Sequence, residues 1–469
     1  MGASLTRTQG TPTSKKKFTF SLWYKKTKIR DYGASSSDSV IFNSADGGGN
    51  DNRLTFYINQ ENSPYDTVRL VGRNSASQVL DLKTSAVLRD PGAWLHIVAK
   101  VDTTQSTNTN RAKLYINGVE QSLSISTYPN QDVELNIQHT PYLLSYSGSG
   151  NYLEGLITHY HYTDGYAYDA STFGETDSTS GIWKAKTSPS VTYGTNGFFL
   201  KFENGAAMGT DSSGQSNTFT ASGSLTQNTD TPSNNLAYLN PLLIGTGTGS
   251  NAVDFLGGNT RCDIGAAVWR TLTSTLAVSS GKWYFEGFGT SQASAYQHYG
   301  ITSLAKFAAD ATMPDKEINE EQNGYAYGYY GNNGQIYYST PSARSNGAYG
   351  SSYGASDYVG MFVDLDNNKL YVAKNGTLAN SGTGYDINAD GKPYFLAMSI
   401  YGAYAQINFG SGMFGYSGSS YANLTGTTYA DANGHGVFKY SPNQGGASNF
   451  DSAAKNFYAL NTKNLKEFG

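Results

Sequence analysis

The feature that most constrains the fold of this chain is a two-residue alternation of apolar and polar side chains in short segments. In "KKKFTFSLWYKK", an extended strand places on one face the side chains of Phe18, Phe20, Leu22 and Tyr24. Trp23 falls on the opposite face, between these positions. The same alternation recurs in "RLTFYINQ", "AWLHIVAKVD", "KLYINGVEQ" and "YLEGLITHYHY". The pattern predicts antiparallel strands with one buried face.

Turn signals separate these segments in the way that hairpins require. In "AKLYINGVEQSLS", Asn117 and Gly118 occupy the turn between two strands. The tract "NGYAYGYYGNNGQIYY" (residues 323–338) alternates in the same manner and reverses at "GNNG". We therefore predict a core hairpin there. The outer face of this hairpin carries Tyr330 and Tyr337. Three environments are left open for that face: water, a sugar or a neighbouring subunit.

Composition favours the same fold class. Charged residues make up 14% of the 469 residues, whereas an ordinary soluble domain has roughly 25%. Glycine (54 residues) and tyrosine (37 residues) are abundant, which suits short strands joined by polar turns and suits long helices badly. The length predicts about two to four domains.

Charge and cysteine content exclude several classes of protein. The net charge of -4 argues against nucleic acid as the main partner, because phosphate neutralisation needs an excess of Lys and Arg. Cys262 is the single cysteine, so neither an internal disulfide nor a cysteine-rich metal site can form. No apolar run approaches the length that spans a bilayer, and we expect neither a signal peptide nor membrane insertion.

Two groups of motifs resemble known β-sandwich families. "FTFSLWYKKT", "GAWLHIVAKVD", "AKLYINGVEQ" and "YLEGLITHYHYTDG" together resemble the laminin-G-like, concanavalin-type jelly roll over about residues 1–170. From about residue 251, "SGKWYFEGFG", "VGMFVDLDNNKLYVAKNG" and "KPYFLAMSIYGAYAQINFG" resemble the SPRY domain. Both resemblances imply antiparallel sandwiches.

The segments around these domains resemble tailed-bacteriophage virion proteins. The stretch that follows the laminin-G-like motifs contains "FGE", "GIW", "YGTNGF", "DSSG" and "DTPSNNLAYLNPL" in the order found there, and the chain ends with "DANGHGVFKYSP" and "NFYALNTKNLKEFG". We predict an all-β protein with a sandwich over 1–205, a connector over 206–250, a SPRY-like sandwich over 251–415 and a tail over 416–469. Whether "GFFLKF" completes the first sandwich or begins the second is left open, and so is a strand exchange through "DSSGQSNTFT".

The sequence offers little catalytic chemistry. Glycosidases on this fold need paired carboxylates, and the nearest candidate, Glu175 with Asp177, lacks a second Glu. We expect no catalytic residues and no enzyme activity. His159, His161 and Asp164 form a metal-like pattern, but a polar outer strand face is favoured over a zinc site.

No cofactor is expected, with calcium kept as a candidate. The first half of an EF-hand loop is copied by Asp386, Asn388, Asp390 and Gly391, but position twelve is Ala397 rather than Glu. A calcium site at the rim of a laminin-G-like sheet is the second candidate, and its ligands would be Asp46, Asn50 and Asp51.

Surface recognition remains as the main function. The candidate glycan or subunit contacts are Tyr166, Tyr168, Tyr330, Tyr337, Tyr349 and Tyr353, since tyrosine supplies contact area at little entropy cost. The first thirty residues hold no acid and form either a solvated face or a docking patch for an acidic neighbour. The lysines of this patch are Lys15, Lys16, Lys17, Lys25, Lys26 and Lys28.

The resemblance implies a non-enzymatic virion structural protein on the tail or capsid exterior. A tail-fibre, spike or appendage subunit that attaches to host-surface glycan is favoured. The alternatives are a capsid decoration or head-fibre protein and, in another class, a carbohydrate-active enzyme or lectin. The expected partners are other virion proteins, further copies of the chain (a trimer is favoured) and host glycan.

Overall fold

The computed structural model divides the chain into two compact units, Met1–Gln227 and Asn228–Gly469. The segment predicted as a connector is shared between them, with 206–227 in the first unit and 228–250 in the second. The residues that the structure describes are 2–27, 29, 38–48, 51–223, 225–244, 253–289, 296–388, 391, 393–413, 423–443 and 456–469.

The first unit is built from strands β1 to β16. They are β1 (Ser4–Thr6), β2 (Lys17–Lys25), β3 (Ser39–Ala45), β4 (Arg53–Asn59), β5 (Thr67–Asn74), β6 (Ser77–Thr84), β7 (Trp94–Asp102), β8 (Ala112–Ile116), β9 (Val119–Glu120), β10 (Leu123–Thr127), β11 (Pro141–Leu143), β12 (Leu156–Asp164), β13 (Gly174–Thr176), β14 (Trp183–Ala185), β15 (Phe198–Leu200) and β16 (Thr220–Ser222).

These strands form two large antiparallel sheets and one small hairpin. One sheet has the order β10-β6-β5-β4-β3-β11-β1-β16, the other has the order β15-β12-β2-β7-β8-β9, and β13 pairs with β14. The core draws on both sheets, with Phe20 and Tyr162 from one packed against Phe42 and Phe56 from the other. The unit is a β-sandwich, as predicted.

The alternation predicted for β2 is confirmed. Its buried core face consists of Phe18, Phe20, Leu22 and Tyr24. Trp23 lies on the other face and stacks on His96 at 5.2 Å. The predicted hairpin turn is also present, because Asn117 and Gly118 adopt φ values of 48° and 81°, which suit a two-residue turn between β8 and β9.

Two segments left open by the sequence belong to the first sandwich. β15, from "GFFLKF", pairs with β12. β16, which follows "DSSGQSN", pairs with β1. Both strands therefore complete sheets of the first unit.

The second unit contains fifteen strands in the described residues. They are β17 (Val253–Leu256), β18 (Arg261–Ile264), β19 (Trp269–Val278), β20 (Lys282–Phe288), β21 (Gln297–Ser303), β22 (Ala326–Tyr330), β23 (Gln335–Thr340), β24 (Ala343–Ala348), β25 (Tyr358–Asp364), β26 (Lys369–Lys374), β27 (Thr377–Leu378), β28 (Tyr385–Asp386), β29 (Tyr394–Tyr401), β30 (Tyr404–Asn408) and β31 (Tyr458–Ala459).

Helices are short in both units. The α-helices are α1 (Leu304–Ala309) and α2 (Thr462–Phe468), and the described 3-10 turns are Asp46–Gly48, Asn108–Asn110, Ala170–Thr172, Met313–Asp315 and Ala379–Gly382. No helix in the described part of the chain has the length and apolar character to cross a membrane.

The second unit is also a sandwich of two sheets. One has the order β17-β18-β30-β20-β25-β26-β27, with β28 on β26 and β31 on β20, and the other has the order β19-β29-β21-β22-β23-β24. The tyrosine tract forms the predicted hairpin β22–β23. Tyr327, Tyr329 and Ile336 face the core, whereas Tyr330 and Tyr337 project from the opposite face.

The C-terminal segment covers the outer face of the first of these sheets. β31 adds to β20 in parallel, and Phe438 and Phe457 pack with Tyr284 and Phe362 in a small second core. The carboxylate of Glu286 is fully buried and accepts the backbone N–H groups of Lys439 and Tyr440 at 2.9 and 2.7 Å. The outer face of the six-stranded sheet carries a cluster of aromatic rings instead.

Candidate functional site

A cluster of aromatic rings covers one half of the outer face of the six-stranded sheet. We call this cluster the aromatic face, and it consists of Trp269, Tyr296, His298, Tyr330, Tyr337 and Tyr401. Tyr296 has 36% of its surface exposed, the other tyrosines and Trp269 are half-buried, and His298 is fully buried. A partly exposed aromatic surface of this kind is a common mark of a binding site.

Strand pairing and alternation bring these rings together. Tyr330 on β22 lies opposite His298 on β21, and Trp269 on β19 lies opposite Tyr401 on β29. The neighbours of these rings that face the core are Tyr299, Tyr329, Ile336 and Ile400. Side chains directly opposite each other in a sheet have their Cβ atoms roughly 5 Å apart, so rings from distant parts of the sequence become neighbours.

A long insertion between β21 and β22 covers the other half of the same sheet face. Its Ile318 is fully buried and packs against Ala326 and Ala397. Small residues make room for it, since a Cβ atom at Gly328 would lie 2.8 Å from Ile318. The insertion therefore leaves only the aromatic half of the face partly exposed.

His298 lies at the centre of the aromatic face and is held in place by a residue of the insertion. Its Nε2–H donates to the carboxylate of Glu317 at 2.8 Å, which fixes Nε2 as the protonated nitrogen. Arg344 donates to the other oxygen of Glu317 at 2.6 Å. Burial alone would raise the pKa of Glu317, but the contacts with His298 and Arg344 outweigh it and lower the pKa below its ordinary value.

The rings have a defined mutual geometry. Tyr330 stacks on His298 with centroids 4.5 Å apart and planes 13° apart, and Tyr296 lies parallel to Tyr330 at 6.4 Å and 9°. Tyr337 meets Tyr330 edge-on at 4.8 Å. Because the rings support one another, they are preorganised rather than free to rotate independently.

Polar side chains border the aromatic face along β23 and β24. Asn333 donates to the Tyr337 hydroxyl at 3.2 Å. Asn346, directly opposite Tyr337 on the neighbouring strand, is exposed, and Gln335 is half-buried on the same side. The border therefore offers amide donors and acceptors next to the rings.

The tyrosines predicted as contacts fall into three groups. Tyr330 and Tyr337 are in the aromatic face. Tyr349 and Tyr353 are 6% and 2% exposed and belong to the core of the second unit, which corrects the prediction that they are contact residues. The hydroxyl of Tyr353 bonds the carbonyl of Tyr329 at 3.0 Å, so these rings pack beneath the hairpin instead of lying on its surface.

Tyr166 and Tyr168 lie in the first unit. Their rings stack at 6.2 Å, and Tyr166 is 38% exposed. The hydroxyl of Tyr168 accepts the backbone N–H of Thr192 at 2.9 Å. Tyr168 also meets Phe173 edge-on at 6.3 Å.

The structure corrects the predicted basic docking patch. Lys15, Lys16 and Lys17 contact Glu134, Asp132 and Asp102, respectively. Lys25 and Lys26 are buried, and Lys26 pairs with the buried Asp66 at 2.6 Å. Lys28 lies outside the described residues. Burial therefore removes Lys25 and Lys26 from the predicted patch, whereas Lys15, Lys16 and Lys17 remain partly exposed beside their acidic partners.

The histidine pattern on β12 has structural partners. His161 is buried, stacks on Phe199 at 3.9 Å and hydrogen-bonds the Tyr193 hydroxyl at 2.9 Å. Burial holds its pKa well below the ordinary value. Asp164 accepts the backbone N–H groups of Thr13 and Asn196 at 2.8 and 3.0 Å. Tyr160 and Tyr162 point into the core, as predicted.

The two candidate calcium loops are only partly described. Asp386 pairs with Lys369 at 2.6 Å, while Asp390 and Asn50 lie outside the described residues. Within the described ranges, no group of three or more His, Cys, Asp or Glu side chains is arranged to hold a metal ion.

Four members of the aromatic face were missed by sequence reasoning. Trp269, Tyr296, His298 and Tyr401 come from three segments, and only strand pairing unites them. A signal was available, because "AYQHYG" and "SIYGAY" place aromatic residues out of phase with the core residues of their strands. The order of the strands in the sheet, which decides which of these residues are neighbours, could not be predicted from the sequence.

Comparison with known proteins assigns both units. Residues 2–165 match the family model of the concanavalin A-like lectin/glucanases superfamily. Residues 256–412 match that of the SPRY domain. A search of curated proteins gave no match.

Similar solved structures are SPRY domains. The SPRY domain of human HERC1 is 12% identical, with a TM-score of 0.29, over 36% of this chain and 96% of that chain. A human SPRY domain is 15% identical, with a TM-score of 0.25, over 34% and 96%. The TRIM65 PSpry domain is 10% identical, with a TM-score of 0.25, over 37% and 91%. From the two family matches, the chain carries a concanavalin A-like domain followed by a SPRY domain, two folds that often serve in binding or adhesion.

Proposed function

We propose that the protein is a non-enzymatic attachment subunit on the exterior of a tailed-phage virion, in a tail fibre, spike or appendage. It recognises host-surface glycan through the aromatic face. The placement on a virion rests on the connector and C-terminal signatures in the sequence. In the virion it assembles with other structural proteins and with copies of itself, as a trimer.

The observation that carries the recognition role is the aromatic face. Six rings lie together on a sheet surface that the insertion and the C-terminal segment leave partly exposed. Tyrosine and tryptophan rings provide stacking surfaces with a polar edge. An attachment protein needs such a rigid surface, because a rigid site loses little entropy on binding.

The buried acid of the second unit has a structural role that supports a non-enzymatic function. Burial raises the pKa of Glu286 to about 7, a value that suits a general acid or base. Its carboxylate nevertheless binds the backbone of Lys439 and Tyr440, and it is fully buried. It anchors the C-terminal segment instead of meeting a substrate.

Placement at the tail is favoured over decoration of the capsid. A capsid decoration protein would use the basic N-terminal segment to dock on the shell. Of the described lysines of that segment, Lys25 and Lys26 are buried, and Lys15, Lys16 and Lys17 contact acids, so the segment gives the decoration alternative little support.

Adsorption measurements test the proposal. Purified protein should compete with phage for host cells, and the Tyr330→Ala variant should compete at least about tenfold less well, since a stacking contact is lost. Immunogold labelling should mark the tail. Hundreds of copies on the shell, or wild-type protein that fails to compete, would contradict the proposal. Cleavage of host polysaccharide that a single Asp or Glu substitution abolishes would instead show an enzyme.

A further inference from the structure

We infer that the aromatic face takes an uncharged pyranose oligosaccharide, through stacking of sugar C–H faces on Tyr296 and Tyr330 and hydrogen bonds to the amides along its border. This inference rests on the proposed attachment function and adds the chemical class of its ligand. Charge, ring geometry and the surrounding polar groups all favour this ligand.

The cations around the aromatic face are paired with acids of the same unit. Arg344 contacts Glu317 at 2.6 Å, Arg270 contacts Asp315 at 3.1 Å, and Lys316 contacts both Asp310 and Glu321. An anionic sugar is bound through charge-assisted hydrogen bonds from Arg or Lys. Taking these cations from their partners would leave acids such as Glu317, which is half-buried, without compensation. The charge pattern therefore favours a neutral ligand.

Ring geometry favours a sugar over an aliphatic partner. Tyr296 and Tyr330 lie parallel, with planes 9° apart, and Tyr337 and Tyr401 stand edge-on to them. Flat aromatic surfaces of this kind stack on the axial C–H groups of a pyranose, and a phenol hydroxyl can both donate to and accept from a sugar hydroxyl. Ile318, the aliphatic side chain of the insertion that packs on this sheet face, is fully buried and is therefore closed to an aliphatic partner.

The polar border matches the hydroxyl groups of a neutral sugar. Asn333 and Asn346 are exposed, and Gln335 is half-buried beside them. A primary amide both donates and accepts, as a sugar hydroxyl does. Each amide can therefore bind a hydroxyl without a change of protonation.

The test is a binding titration of the full chain with matched oligosaccharides. Neutral hexasaccharides of glucose, galactose and mannose are compared with sulfated and uronic-acid oligosaccharides of the same length. We expect binding of at least one neutral sugar, and affinity that is unchanged between about 0.05 and about 0.5 M salt, because no ion pair forms. Tyr296→Ala and Tyr330→Ala should each weaken binding about tenfold, whereas Tyr330→Phe should retain most of it.

The controls separate loss of binding from loss of folding. Tyr296 is more exposed than Tyr330, so its removal disturbs the sheet least, and thermal unfolding of both variants is compared with wild type. Tyr429→Ala removes a ring of the C-terminal segment that is 42% exposed and should leave binding unchanged.

Each other outcome overturns the inference in a distinguishable way. Preference for anionic sugars with steep salt dependence would overturn the neutral class but keep glycan attachment. Failure of every sugar, while Tyr330→Ala still weakens competition on cells, would point to a protein receptor. Competition that is absent even for wild type would remove the proposed function itself.

Discussion

At the scale of single residues, a buried ion pair makes the sharpest prediction. Lys26 and Asp66 are 2.6 Å apart, with side chains 1% and 0% exposed. Asp66→Asn should lower the unfolding free energy of the first unit by about 3–5 kcal/mol, because it removes the negative charge that the buried ammonium group contacts. Urea unfolding followed by tryptophan fluorescence measures the change.

The chain supplies a matched control for this substitution. Asp132 pairs with Lys16 at 3.2 Å, but its side chain is 58% exposed. Asp66 and Asp132 both adopt a positive φ, 58° and 62°, a conformation that Asn tolerates well. Asp132→Asn should cost at most about 1 kcal/mol. Equal costs at both positions would show that burial of the pair does not matter.

Single residues also show what sequence reasoning lacks. The alternation correctly sorted Tyr330 and Tyr337 from Tyr327 and Tyr329, because a strand's two faces follow from its own residues. Burial of Lys26 depends on Asp66, which is forty residues away. A run of lysines therefore reads as solvent-exposed in the sequence, because the acid that pairs with one of them comes from another part of the fold.

At the scale of elements, the hairpin β13–β14 docks on the first sandwich through one tryptophan. Nε1–H of Trp183 donates to Nδ1 of the buried His96 at 3.0 Å, while Nε2 of His96 faces the Ser21 hydroxyl at 2.8 Å. Trp183→Phe keeps an aromatic ring but leaves Nδ1 without its donor. We expect a loss of about 1–3 kcal/mol and faster hydrogen exchange in residues 174–185. Ile182→Ala, next to Trp183 and 67% exposed, should change neither, and an equal effect there would refute the docking role.

Elements with local signals were predictable, and those held by distant partners were not. Hairpins β8–β9, β22–β23 and β25–β26 follow from turn residues and alternation within one short segment. β31 has two residues and depends on β20, far back in the sequence. The aromatic face has the same origin, since strand order rather than strand content brings Trp269 and Tyr401 to His298.

At the scale of the whole molecule, the two units should respond to pH in opposite directions. In the first unit, burial lowers the pKa of His96 from 6.5 to about 3 and that of His161 well below 6.5. Below pH 6.5 the unfolded chain binds protons that the folded unit does not. The first unit therefore loses stability as pH falls from 7 to 5, by roughly 2 kcal/mol per histidine.

In the second unit the sign is reversed. Burial raises the pKa of Glu286 from 4.5 to about 7, so between these values the folded unit holds a proton that the unfolded chain has released. Its stability should fall by roughly 2 kcal/mol as pH rises from 5 to 7.

Thiol labelling of Cys262, which is buried in this unit, reports the unfolding of the second unit in urea. Pulse proteolysis, followed through peptides from 1–227, reports the unfolding of the first unit. Glu286→Gln should abolish the pH dependence of Cys262 labelling while the first unit keeps its own. A slope unchanged by this substitution would show that Glu286 does not titrate in this range, and that another group links the C-terminal segment to pH.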